Sequence, residues 1–421
     1  MRIEVVTIGD ELLLGFTIDT NAAHLARRLA SVGVEVVRRT TCGDSAESIG
    51  AAVRDALERA DGVITTGGLG PTSDDLTKPS IAALFGRRMV LDEQHLAWMR
   101  DRWATRWPER PMPEANTQQA MLPDGARKLV NNHGSAPGIF LEDERGRWVA
   151  MLPGVPREMR GMLDDILLPL VRERLGSATP SVVRSRTLRS TGIAESLVAD
   201  RIAALPGGVG DVALAYLPNV DGVDLRLTVR DLPSDVADAR LAGAAEHVRS
   251  AMRDAIYGEA DADLAAVVLD ACRARAITVA VAESCTGGML GERLTAIAGS
   301  SDVVLGGVIA YADDVKQSLL GVSVEVLHEH GAVSEAVVGE MAKGVRSRLG
   351  AGAALAITGV AGPGGGSTEK PVGTVWIGLD LQGVVETRQL RLWGDREEIR
   401  RRSAQAALEM LRRALLPTRR D

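Results

Sequence analysis

Twice in this sequence a short run of strand-forming residues ends in a glycine-rich loop that leads into a helix-like pattern. Residues 62–66 run into Gly67-Gly68, and residues 277–282 run into Glu283-Ser284-Cys285-Thr286-Gly287-Gly288. Runs this short, with no polar alternation, suit strands covered on both faces, as in parallel sheets flanked by helices. Strand-like patterns at 2–8 and 34–38, with helical spacing over 21–32 and 45–59, surround the first run. Around the second lie a helical pattern over 289–298 and strand-like patterns at 303–311, 354–358, 372–381 and 384–392. A closing helix is expected over 395–415. Such alternation predicts right-handed crossovers, with ligands at the carboxyl ends of the strands. The loops there are 9–11, 67–75, 134–138 and 153–158.

Composition narrows the classes. A length of 421 residues suggests two or three domains, and 45% hydrophobic with 25% charged residues excludes disordered and fibrous chains. Aromatics are 3%, so the core must be built from Ala, Val, Leu and Ile, and stacking platforms for single-stranded nucleic acid are scarce. A net charge of −7 argues against a general polyanion-binding surface. Cys42, Cys272 and Cys285 are too few and scattered for a disulfide framework, which fits a reducing compartment. The first residues lack the pattern of a signal peptide, and no apolar run approaches the roughly 18 residues of a membrane span. The expectation is a cytoplasmic protein without a membrane partner.

Between the two α/β regions, residues 175–258 read differently. A strand at 182–190, a helix at 194–204, a hairpin of 212–217 with 223–229 and a helix over 234–256 make a β-α-β-β-α unit. It holds no cluster of reactive groups, and its bland reading is a connecting or dimerising element. Arg184, Arg186 and Arg189 alternate along its first strand as a solvated face would.

In the C-terminal region, Ser284 and Cys285 stand where a buried strand gives way to a helix. Unpaired N–H groups and the positive helix end converge there and can activate a nucleophile or hold an oxyanion. Helix capping is the competing role for Ser284, and Cys285 is the rival nucleophile because thiolates attack more readily. Thr286, Gly287 and Gly288 allow a sharp turn and close approach of a substrate. Lys316, five residues after Tyr311, could serve a serine as general base without a histidine, although alone it reads as a solvated helix residue. The loop 358–366, with Gly362, Gly364 and Gly365, offers backbone N–H groups to an anion.

These blocks (ESCTGG at 283–288, GGVIAYADDVKQSLLGV at 306–322, HGAVSE at 330–335, TGVAGPGGGSTEKPVGTVW at 358–376 and GDREEIR at 394–400) closely resemble the C-terminal nicotinamide-nucleotide amidase domain of the CinA family. The resemblance implies hydrolysis of nicotinamide mononucleotide to nicotinate mononucleotide and ammonia, without a cofactor. It further implies Ser284 as nucleophile, Lys316 as its base and Tyr311 as an orienting or relaying partner. Arg396 is the matching arginine, with Arg400 one turn later in reserve. The oxyanion would lie near the N–H groups of residues 285–287, and the 362–366 loop would face the phosphate.

In the N-terminal region, Gly67, Gly68 and Gly70 at a strand end suit a phosphate, and Asp74 and Asp75 supply hard oxygen ligands for a divalent cation. Adjacent aspartates are also common in caps. GDELLLG at 9–15, DTN at 19–21, GGLGPTSDDLTK at 67–78, NNHGSAPG at 131–138 and LPGVPREM at 152–159 resemble the MoaB/MogA-like molybdopterin-binding domain that opens CinA proteins. The resemblance implies a phosphate-bearing ligand held by Gly67, Gly68, Gly70, Thr72, Ser135, Pro153 and Gly154, with Asp74, Asp75 and Glu11 toward a metal. ADP-ribose, cleaved with a divalent metal to AMP and ribose phosphate, and a pterin are the two ligands it suggests. Asp10 stands where the family more often has Thr.

Together these readings predict two three-layer α/β domains with mainly parallel or mixed sheets, over 1–172 and 259–421. A small α+β, KH-like domain over 173–258 joins them. Small nucleotides are the expected partners, and the resemblance suggests a homodimer. A competence- or damage-associated nucleic-acid-binding protein is the reading from another class. Its support is Arg400-Arg401-Arg402 with Arg412-Arg413, and against it stand the acidic balance and the lack of a GXXG clamp.

Overall fold

Strand Arg2–Ile8 alternates its side chains between two helical layers, and this sets the architecture of the N-terminal half. The structure is a computed structural model that describes residues 1–176 and 182–416. Ile3 and Val5 face helix Thr20–Ala30 through Leu25 and Leu29. Val6 and Ile8 face helix Ala46–Arg59 through Ile49 and Val53. The sheet order is Glu35–Cys42, Arg2–Ile8, Gly62–Thr66, Trp148–Leu152, Gly138–Glu142, Arg127–Leu129. The first four strands are parallel and the last two antiparallel, so the sheet is mixed.

The C-terminal sheet follows the same logic. Its order is Val304–Ile309, Val279–Glu283, Ala353–Gly359, Thr374–Leu381, Val384–Arg391. Three parallel strands are extended by an antiparallel hairpin. Val279 and Val281 pack with helices Leu264–Arg273 and Arg396–Ala414, while Ala280 and Ala282 face helix Glu335–Leu349. The alanine face admits that helix closely, which is how a core with few aromatics is filled.

The middle sheet has the order Ala213–Asn219, Gly222–Leu232, Val182–Ser190, Ile256–Glu259, with helices Glu195–Ala203 and Ser234–Met252. Its hairpin turns through Val220 and Asp221, whose tightness the Asn219 side chain explains: its Oδ1 accepts from Asp221 N at 2.9 Å and Gly222 N at 3.1 Å. The helix expected over 234–256 stops at Met252, because Arg253 takes a positive φ of 49° and the chain turns into strand Ile256–Glu259. By internal packing the chain forms two compact units. One comprises Met1–Arg184 with Val229–Ala239; the other comprises Ser185–Thr228 with the chain from Arg240 onward.

Candidate functional site

Three loops leave the carboxyl end of the C-terminal sheet side by side. Glu283 is in register with Ile309 on one neighbour and Ile357 on the other. Ser284 N donates to Ile357 O at 2.9 Å, and Ala310 N donates to Glu283 O at 2.8 Å. Loops 284–288, 310–312 and 360–373 therefore start from one edge, and sheet topology alone brings the predicted residues together.

Within the first loop, Gly287 N closes a turn on Ser284 O at 3.1 Å, so this N–H is not free for an oxyanion as the sequence reading expects. Gly287 and Gly288 take φ of 58° and 99°, in the left-handed region open to glycine. The N–H groups of Cys285 and Thr286 donate to no carbonyl among the described residues. Ser284 is buried but its Oγ makes no hydrogen bond there, so it is not the cap of the following helix. That role belongs to Glu283, a residue the sequence reading passes over. Its buried carboxylate accepts from Gly288 N (3.0 Å), Leu290 N (3.0 Å) and Gly291 N (2.8 Å). The signal was present: an acid ending a buried strand just before a helix needs N–H partners. Burial, and secondarily the Glu283 carboxylate, pushes the Cys285 thiol up to about 12, leaving almost no thiolate at neutral pH.

The first turn of helix Arg396–Ala414 completes the arrangement. Asp395 caps it, accepting from Glu398 N at 2.9 Å, while Glu398 accepts from Asp395 N at 3.0 Å. Arg396 donates to Gly362 O at 2.6 Å and to the Tyr311 hydroxyl at 3.2 Å. One turn on, Arg400 donates to Thr286 O from Nε at 3.2 Å and Nη2 at 2.6 Å. Both candidate arginines thus have places: Arg396 ties the second loop to the third, and Arg400 clamps the Ser284 turn. Lys316, buried in helix Asp313–Leu320, donates to Tyr311 O at 3.3 Å and Asp313 Oδ1 at 3.0 Å, and not to Ser284. Gly364 and Gly365 are exposed, open to solvent on the third loop.

The arginines that supported nucleic-acid binding are otherwise engaged. Arg401 pairs with Asp221 at 3.7 Å, Arg402 lies 4.0 Å from the ring centre of Trp393, and Arg412 and Arg413 both bond Glu409. They are not a continuous free patch.

In the N-terminal half a cleft of about 510 Å³ gathers the predicted loops. Gly67, Gly68, Gly70, Asp74, Asp75, Glu11, Ser135, Pro153 and Gly154 all line it. Thr72 does not; with Asp75 it folds the loop. Asp75 accepts from Gly70 N at 2.7 Å, Thr72 N at 2.8 Å and the Thr72 hydroxyl at 2.5 Å. Asp75 is therefore committed to folding the loop, while Asp74, held below the usual carboxylate range by Thr72, and Glu11 line the cleft beside it. Among the described residues no three His, Cys, Asp or Glu side chains group as a cation cage. With one or two carboxylates, an ion of the magnesium type would need ligand phosphate and water to complete its shell. Asp10 turns instead to Asp44, each carboxylate accepting the other's backbone N–H at 3.0 and 3.3 Å.

Sequence reading also misses Lys78 and Asn21. Lys78 is buried behind the loop, bonded to Gln118 O, and burial pushes it down to about 8. Asn21 lines the cleft and donates to Thr66 Oγ1 at 3.1 Å and Gly154 O at 2.7 Å, leaving its buried Oδ1 without a partner.

Residues 261–415 match the family described as CinA C-terminal domain, 185–258 the damage-inducible protein CinA KH domain, and 4–173 the probable molybdopterin binding domain. A CinA-like protein of Gemmatimonas aurantiaca is 61% identical over 98% of this chain and 96% of its own length. The chain belongs to the CinA family. Another CinA-like protein, from Salinibacter ruber, is 43% identical over 99% of this chain and 100% of its own. Among solved structures, the competence/damage inducible protein CihA of Agrobacterium tumefaciens is 44% identical over 36% of this chain and 93% of its own, with a TM-score of 0.35. Like the domains it is built from, this CinA chain has mixed α/β sheets with helices on both sides and a KH-like middle segment. No helix among the described residues is long and apolar enough to cross a membrane.

Proposed function

We propose that the C-terminal region hydrolyses the carboxamide of nicotinamide mononucleotide to nicotinate mononucleotide and ammonia. The observation that carries this reading is the Ser284 turn: an unbonded hydroxyl beside two unclaimed N–H groups, with the competing thiol held protonated. Ser284 Oγ attacks the amide carbon, and the N–H groups of Cys285 and Thr286 receive the oxyanion. Ammonia leaves as the C–N bond breaks, and water then cleaves the acyl-enzyme to the carboxylate. Lys316 suits the role of base. Its buried Nζ is held by Tyr311 O and Asp313, and in its neutral form it would take the serine proton and pass it to the departing ammonia. Arg396 and Arg400 position Tyr311 and the turn.

Ammonia release from nicotinamide mononucleotide tests this with wild type, Ser284→Ala, Cys285→Ala and Lys316→Ala. Ser284→Ala and Lys316→Ala should lose activity by at least about 10³-fold, while Cys285→Ala only weakens it. Equal rates in wild type and Ser284→Ala would sink the serine assignment.

For the N-terminal region we infer a nucleotide cleft that splits ADP-ribose into AMP and ribose phosphate, supported by phosphate-loop glycines beside Asp74 and Glu11. A divalent ion held there would neutralise pyrophosphate charge. No AMP release from ADP-ribose with added divalent metal would reduce the cleft to a binding site.

A further inference from the structure

In a chain with six tryptophans, three fall on one short stretch: Trp98, Trp103 and Trp107. The helix carrying the first two, Glu93–Arg106, buries only Leu96 and Met99. The indoles at its surface and just past its end are not core residues, since Trp98 is 39% and Trp107 43% exposed. Trp148 shows the contrast, buried in the sheet and stacked on Phe140. Clustered large rings left at a surface mark a binding site more often than chance exposure.

These three indoles line a cavity of about 270 Å³. Arg102 lies 5.2 Å from the Trp98 ring centre and Arg106 5.7 Å from that of Trp107, and Trp98 is backed by His95, stacked on it at 5.3 Å. Trp103 is tilted against Trp107 at 6.4 Å, its indole N–H fixed on Arg110 O at 2.8 Å. The cavity adjoins the N-terminal cleft, because Gln119, Ser135 and Glu158 line both. Gln119 is the informative member. It is only 7% exposed, yet its side-chain amide makes no hydrogen bond among the described residues. Lining both spaces, its amide has a free donor and acceptor to offer a ligand that fills them.

We propose that this cavity is the ring subsite of the N-terminal cleft, taking the planar nitrogen heterocycle of a ligand whose phosphate lies at residues 67–70. The proposal rests on the reading of that cleft as a phosphate site. Indole faces and guanidinium planes stack on electron-poor heterocycles, and the Gln119 amide offers one donor and one acceptor face to the ring edge. The space holds one ring system, with the remainder of the ligand in the larger cleft. A nucleobase and a pterin share this chemistry, and the choice of probes separates them.

Calorimetric titration of the full-length chain with ribose 5-phosphate, AMP and a pterin monophosphate tests the subsite in wild type, Trp98→Ala, Trp98→Phe and Trp107→Ala. Wild type should bind a ring-bearing phosphate about tenfold tighter than ribose 5-phosphate. Trp98→Ala and Trp107→Ala should erase that advantage, Trp98→Phe should keep most of it, and ribose 5-phosphate affinity should stay constant throughout. The ring-bearing probe that gains identifies the source. Equal affinity of ring-bearing and ring-free probes for wild type, or an advantage that survives in both alanine variants, overturns the subsite while leaving the phosphate cleft standing. Failure of every probe to bind wild type overturns the cleft reading itself, and the subsite with it.

Discussion

At the scale of single residues, the chemistry turns on which groups are held away from water. Glu283 anchors the helix behind the Ser284 turn, and the same burial that makes this anchor strong keeps Cys285 a thiol. Cys42 and Cys272 are likewise pushed up to about 11 by burial. All three should therefore resist iodoacetamide at pH 8, reacting roughly 100-fold more slowly in the native chain than in urea. One cysteine alkylated at the denatured rate would contradict its placement.

Lys78 gives a pH signature of the opposite sign. Burial lowers its folded pKa from 10.5 to about 8, so between those values the unfolded chain binds the proton and the folded chain does not. The cost of burying its charge is present in full below pH 8 and is relieved as pH rises toward 10.5. Lys78→Met should accordingly be more stable than wild type at pH 7 in urea titrations, with the gap narrowing at pH 9.5. The positions of Ser284 and Tyr311 just past strand ends were legible in the sequence, whereas Arg396, in the first turn of a helix, was singled out by the family resemblance alone. The places of Lys78 and Asn21 were not, since they are fixed by burial and by partners distant along the chain, which spacing does not record.

At the scale of elements, two glycines in helices make a paired test. A Cβ at Gly344, in helix Glu335–Leu349, would lie 1.8 Å from the Leu320 carbonyl oxygen. A Cβ at Gly243, in helix Ser234–Met252, would meet nothing within 4 Å. Gly344→Ala should destabilise by about 1–3 kcal/mol. Gly243→Ala should stabilise by about 0.5–1 kcal/mol, both read from denaturant midpoints. The strands legible in the sequence were those with continuous apolar runs, such as Gly62–Thr66 and Ala353–Gly359. Helix Glu93–Arg106 escaped notice because two buried residues in fourteen give no clear period. The expectation of scarce exposed aromatics fails on that same helix.

At the scale of the molecule, the middle segment and the C-terminal sheet belong largely to one compact unit. Gln405, buried on the last helix, donates to the Thr191 hydroxyl at 3.2 Å, and Arg412 bonds both Glu409 and the Asp254 carbonyl. Both members of the Glu409–Arg412 pair are buried. Removing Glu409 leaves the buried Arg412 without a carboxylate, so Glu409→Ala should cost about 3–5 kcal/mol. The double replacement Glu409→Met with Arg412→Met should cost less than either single change, measured by urea unfolding. A double mutant no better than the singles would show that the pair is not coupled. Sequence spacing showed the helix and its arginine face but not that this face is closed by the middle segment.

Helix Arg396–Ala414 spans nineteen residues, about 28 Å of unbroken rod. Its first turn holds Tyr311 and the Ser284 turn, and its last turn is pinned beside Asp254. A rod fixed at both ends behaves as a lever arm. Displacement of the middle segment would reach the Ser284 turn as a movement of two guanidinium groups, with unbroken helix in between.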